Sequence, residues 1–318
     1  VPLLPAMRLS VLPPPVTYDS PLITIADYVL QPPAFGYEAH RHATLALLDA
    51  LAGAVRALQD PACARLLGPL VPGTTQPLGA RVPGTTFELD PATAAFGISC
   101  CASWSDHPTI QPAALRHRPS DHLGALLAAT DWLGRSAEHA HPLHAFSGAP
   151  LPAAALPTLH DLLTALIQAQ EINRALAQEN FHAGRALNPV LLQRVAATAV
   201  TTRLLGGQRP QILAAVSRAW QAGVPLESQE PDPSPARLAP QANGEAAAQA
   251  IILALRALDG DPGWPQVLSA PDGGFQAVFW AGQPLTLSAP LDSRAMEKLL
   301  FNLVYPAAPG VQIGRAHV

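Results

Sequence analysis

Lysine is almost absent from this chain: of 19 basic residues only Lys298 is a lysine, and the rest are arginines. Set in an Ala-, Leu- and Pro-rich background, that skew reads as GC-rich coding. It leaves cationic roles to a guanidinium, which stays charged and cannot act as a base at neutral pH. Charge of either sign is scarce, at 13% of residues against about 25% in average globular sequences. The formal net charge is -4, and no basic stripe supplies the electrostatic footprint of a nucleic-acid binder. Cysteine is limited to Cys63 and the adjacent pair Cys100-Cys101. Those three make neither a disulfide framework nor a C-x-x-C metal or iron-sulfur pattern, so a reducing compartment is expected. Uninterrupted apolar runs of about 18 residues are missing too. The N-terminal text VPLLPAMRLSVLPPP places proline where a signal peptide has a helical apolar core. These absences predict a soluble, cytoplasmic protein with no membrane and no nucleic-acid partner.

Apolar residues are abundant, at 49% of 318 residues, enough for one large or two moderate domains. Residues 1–17 are punctuated by proline and are expected to be disordered, with Met7 a possible initiator. From Ile23 the apolar spacing is helical. Ala43, Leu47, Leu48, Leu51, Val55 and Leu58 recur every three or four residues, predicting an amphipathic core helix over 38–58 that Asp60-Pro61 ends. Two Val-Pro-Gly-Thr-Thr copies, at 71–75 and 82–86, mark turns in an irregular segment. Ser120 is a plausible N-cap for a helix over 121–135, with Asp121 at the positive end of its dipole. Thr158 or Asp161 opens another helix, and further helices are expected over 190–205, 211–220 and 244–258. Only beyond Ala270 does strand-like text appear: FQAVFW, a turn at 281–284, and LTLSA suggest a hairpin before a last helix near 293–303. Trp104, Trp132, Trp220 and Trp264 are spaced as core anchors. His139, His141 and His144, with His160 downstream, raise a metal site, but no Cys or carboxylate completes a ligand set and none is expected.

Longer stretches carry a family likeness. LLDALAGAVRALQDPACARLLGPLVPGTTQPLGARVPGTTFELDPATAAF, RPSDHLGALLAATDWLGR, AQEINRALAQEN, VAATAV, ILAAVSRAW and MEKLLFNLVYP resemble the MmgE/PrpD family, collinearly from about Asp27 to Pro306, and specifically its subgroup acting on 2-methylcitrate. The resemblance implies a mainly α fold: a large all-α helical domain over 18–270, then the start of an α+β lid domain over 271–318. The last residues, 313–318, depart from the family and are expected to be non-native. It further implies a homodimer, a tricarboxylate substrate, no metal or other cofactor, and dehydration of 2-methylcitrate to 2-methyl-cis-aconitate in propionate breakdown.

Dehydrating a hydroxy-tricarboxylate without a metal needs a base for a carbon-bound proton, an acid for the departing hydroxyl, and cations for the carboxylates. By resemblance, Asp106 matches the first family aspartate, while Thr109 stands where a second is expected. Pro119, Ser120 and Asp121 match a family turn in which Arg118 replaces histidine, with His117 one residue earlier. Asn188-Pro189 replaces an Asp-His pair, Ala239 and Asn302 stand at lysine positions, and Arg194 keeps the charge of a family lysine. The resemblance therefore assigns proton transfer to Asp106 with His107 or His117, and carboxylate binding to Arg118, Ser120, Asp121 and Arg194. For Asp106 and Asp121 a capping or turn role competes, and for Arg194 a structural ion pair competes. The substituted positions also fit a non-catalytic paralogue that binds a tricarboxylate or pairs with an active relative.

Overall fold

A computed structural model describes residues 17–104, 118–136, 156–180, 189–223 and 238–299. Helix begins where proline or a capping carboxylate allows it. Helix α1 (Ser20–Leu30) has Pro21 in its first turn. After α2 (Tyr37–Ala57), Asp60 caps α3 (Pro61–Ala64) by accepting from Ala62 N at 2.8 Å. The second turn repeat, 82–86, joins the strands of a short antiparallel ribbon, β1 (Ala80–Arg81) with β2 (Glu88–Leu89), pairing Ala80 with Leu89. Asp90 then caps α4 (Pro91–Ser103) through Ala92 N and Thr93 N. Helix α5 spans Ser120–Ser136. Thr158 and Asp161 exchange hydrogen bonds across the first turn of α6 (Leu159–Asn180), a capping box. Helices α7 (Val190–Leu204), α8 (Arg209–Gln221) and α9 (Leu238–Leu258) follow, then the short α10 (Phe275–Phe279) and α11 (Arg294–Glu297). The fold is mainly α, as expected.

Helix α7 is the central element. Every residue from Val190 to Thr202 is buried, and α1, α5, α6, α8 and α9 pack around it. Helix α4 crosses α5 and α9 at glycines. A Cβ on Gly124 would stand 2.5 Å from Ala95 O, and one on Gly244 would stand 2.7 Å from Cys100 Sγ and 2.9 Å from Phe96 O. The backbones approach too closely there for any side chain. Trp104, Trp132 and Trp220 are buried, with Trp264 partly so, which bears out their reading as anchors.

Two sequence expectations are corrected. In α2 the inward face is built from Ala39, Ala43, Ala46, Leu47, Ala50 and Ala54, whereas Leu48 and Val55 are 57% and 53% exposed. Small alanines let α2 lie close to its neighbours, and the apolar Leu48 and Val55 on the opposite side stay more than half exposed. The hairpin after Ala270 is absent: FQAVF is α10, and β1 and β2 are the only strands among the described residues. Phe275 N and Gln276 N donate to Val267 O and Leu268 O, and the Phe275 ring packs against Trp220 at 4.8 Å. Leu285 and Leu287 are buried in the alternation expected of LTLSA. Their backbone partner is nevertheless a side chain of α6, since Asn180 both donates to Thr286 O (2.7 Å) and accepts from Thr286 N (2.8 Å). Phe275, Trp280, Leu285, Leu291, Met296 and Leu299 all join the main hydrophobic cluster. No helix among the described residues is long and apolar enough to cross a membrane.

Candidate functional site

The turn entering α5 carries Arg118, Pro119, Ser120 and Asp121. The helix starts at Ser120 itself, one residue earlier than predicted, and the capping is done by Asp121, whose Oδ2 accepts from Arg118 N at 3.0 Å. Asn243, in the second turn of α9, donates from Nδ2 to Asp121 Oδ1 at 3.4 Å. From the first turn of α7, Gln193 Nε2 donates both to Asp121 O (2.5 Å) and to Asn243 O (3.2 Å). The starting ends of three helices are thereby tied together, and their dipoles bring partial positive charge to one place. Burial pushes the Asp121 carboxyl up to about 6, against the opposing pull of the Arg118 guanidinium and of the Arg118 N–H. A carboxyl titrating there can exchange a proton near neutrality.

One residue further along α5, the fully buried His122 places Nε2 3.3 Å from Asn173 Nδ2 on α6. Asn173 is itself fully buried, and its Oδ1 has no hydrogen-bond partner among the described residues. Sequence reasoning passed over His122, Asn173, Gln193 and Asn243. The only available signal was the presence of amides inside otherwise apolar helices.

Arg194 lies next to Gln193 in α7 but faces elsewhere. It is 5% exposed and donates from Nε to Ala219 O (3.0 Å), from Nη1 to Gln249 Oε1 (3.2 Å), and from Nη2 to Gly223 O. Its partners among the described residues are neutral, so the competing reading as an ion pair is replaced by a cation capping the last carbonyls of α8. Burial lowers its guanidinium to about 10. Pro189 stands at the N-cap of α7 without any titratable group. Ala239 and Pro240 form the first turn of α9, where Pro240 O accepts from Cys100 Sγ at 3.3 Å. The Cys63 and Cys101 sulfurs lie 3.6 Å apart as free thiols.

The turn residues Arg118, Ser120 and Asp121 are thus brought together. Asp106, His107 and His117, with Thr109, Asn188, Asn302 and the histidines at 139, 141 and 144, lie outside the described residues. No group of three or more His, Cys, Asp or Glu side chains able to hold a metal gathers among the described residues.

Comparison with known proteins bears directly on this arrangement. Residues 24–288 match the MmgE/PrpD N-terminal domain. The chain belongs to the MmgE/PrpD family. The 2-methylcitrate dehydratase of Escherichia coli K12 is 41% identical over 290 residues, covering 91% of this chain and 58% of that protein. The mitochondrial 2-methylcitrate dehydratase of Yarrowia lipolytica is 34% identical over 289 residues, covering 91% of this chain and 54% of its own length. A probable 2-methylcitrate dehydratase of Saccharomyces cerevisiae is 32% identical over 292 residues, covering 91% and 55%. The chain spans a little over half the length of these relatives. Within the MmgE/PrpD match lie the whole Arg118–Asp121 turn, Gln193, Arg194 and Asn243.

Proposed function

We propose that this chain carries the helical part of a 2-methylcitrate dehydratase, a hydro-lyase that takes a proton from carbon and expels the hydroxyl as water, leaving 2-methyl-cis-aconitate. Its 41% identity to the Escherichia coli enzyme, across 91% of the chain, carries the reading. The geometry supports it. Arg118 and the converging helix starts supply positive potential for a tricarboxylate, and Asp121, raised to about 6, supplies a carboxyl able to hand over a proton. Asp106 with His107 or His117 completes the proton transfer, and Ser120 adds a hydroxyl to the carboxylate-binding turn. Arg194, on α7, has its donors taken by Ala219, Gly223 and Gln249 and is not assigned to the carboxylates. The protein acts as a cytoplasmic homodimer in propionate breakdown and needs no cofactor.

Incubation of the full-length protein with millimolar 2-methylcitrate should produce the ultraviolet absorbance of a conjugated product. A flat trace at that concentration refutes the dehydratase reading. A second reading, a non-catalytic paralogue that binds a tricarboxylate, is favoured by one observation: Pro189 and Ala239 occupy helix starts beside the turn and cannot titrate. It is distinguished by thermal stabilisation with tricarboxylates in the absence of turnover.

A further inference from the structure

Gln193 is 2% exposed, and both hydrogens of its amide nitrogen are spent on main-chain carbonyls of two different helices, Asp121 O on α5 and Asn243 O on α9. Asn243 closes a ring by donating to Asp121 Oδ1, and Asp121 Oδ2 in turn holds Arg118 N. An amide on α7 therefore sets where the α5 turn sits relative to α9. Nothing in the helix packing itself needs a polar group at this place, because the neighbouring α7 positions Leu192, Val195 and Ala196 are apolar and fully buried.

We propose that Gln193, together with Asn243, is a positioning residue that holds the Arg118–Asp121 turn in the register that binds the carboxylates of a tricarboxylate. This rests on the tricarboxylate reading given above. A turn displaced by a fraction of an ångström still folds, but it no longer presents Arg118 and the helix starts to the same points in space.

The molecule contains its own matched control. Gln168 on α6 is 4% exposed and likewise donates from Nε2 to two carbonyls, Tyr28 O (3.0 Å) and Val29 O (3.2 Å) of α1, with no link to the α5 turn. Gln193→Leu and Gln168→Leu remove the same chemistry from two places. Both full-length variants should lose thermal stability to a similar extent. Only Gln193→Leu should weaken calorimetric binding of 2-methylcitrate and of citrate, by about tenfold, with KM rising in step and kcat changing less. Asn243→Ala, which keeps its carbonyl and loses only the bond to Asp121 Oδ1, should weaken binding by a smaller factor and provides the measurement if Gln193→Leu does not fold. Equal affinity in Gln193→Leu and the unsubstituted protein overturns the inference alone, as does equal weakening in Gln193→Leu and Gln168→Leu. Failure of the unsubstituted protein to bind either tricarboxylate overturns the proposed function and this inference with it.

Discussion

Glu171 offers the clearest perturbation of the scaffold. Its side chain is fully buried in α6, where Oε2 accepts from Arg174 Nε at 3.2 Å and from Ala295 N at 2.9 Å, and Oε1 accepts from Arg174 Nη2. The bond to Ala295 N is one of those that fasten the C-terminal described residues onto α6, alongside Glu179 to Ser288 and Asn180 to Thr286. Glu171→Gln keeps the shape but removes the charge and turns an N–H₂ toward Arg174 or toward Ala295 N, so at least one donor faces a donor. Removing one partner of a buried ion pair costs about 3–5 kcal/mol. Arg174 is 21% exposed and recovers part of its hydration, so the lower end, about 3 kcal/mol, is expected. For a protein of 318 residues that corresponds to a fall in Tm of roughly 4–5 °C. Hydrogen exchange should accelerate most over 286–299, and 0.5 M salt should not erase the difference, because the pair is screened from solvent. A Tm within about 2 °C of the parent, with unchanged exchange over 286–299, would refute the reasoning and show that desolvation cancels the pair.

Other consequences are equally measurable. The Asp121 carboxyl rises from 3.8 to about 6 on folding, so the folded state binds its proton more tightly. That stabilisation is complete below about pH 4 and is lost as pH rises through 6, so acidifying from pH 7 to 4 should stabilise the parent relative to Asp121→Asn by up to about 3 kcal/mol in denaturant titrations. Gly124→Ala, whose Cβ would stand 2.5 Å from Ala95 O, should destabilise by about 1–3 kcal/mol through forced separation of α4 from α5; an unchanged midpoint contradicts that crossing. Arg194→Ala strips donors from Ala219 O and Gly223 O and should cost about 3 kcal/mol, read from the same titrations. Cys63, Cys100 and Cys101 are buried, with the latter two thiols pushed up chiefly by burial for Cys100 and by the Cys63 contact for Cys101. A thiol reagent should therefore label none of them rapidly in the native state and all of them in denaturant.

The helix opening at Thr158 was legible because its signal is local, a capping residue set before an apolar run, whereas the helices capped by Asp60 and Asp90 were not predicted. Family membership was legible for the same reason, since long collinear segments retain their spacing. Periodicity failed where both sides of a helix are apolar. Nothing in the text of α2 says that alanine faces inward and Leu48 outward, because that choice belongs to how closely a neighbouring backbone approaches. The LTLSA segment alternates like a strand, yet what pairs with Thr286 is Asn180, more than a hundred residues away, and a long-range partner leaves no local trace.

The site divides in the same way. The sequence, by its resemblance to the family, set the expectation that Ala239 and Pro189 stand at a lysine and a histidine position and that Arg118 replaces an imidazole. Tertiary structure alone decided that Arg194, charged and adjacent to Gln193, spends its donors on α8 and α9, while the neutral Gln193 reaches the Asp121 turn. Successive residues on a helix point about 100° apart, so which of two neighbours meets the site depends on how α7 is rotated among the helices that surround it.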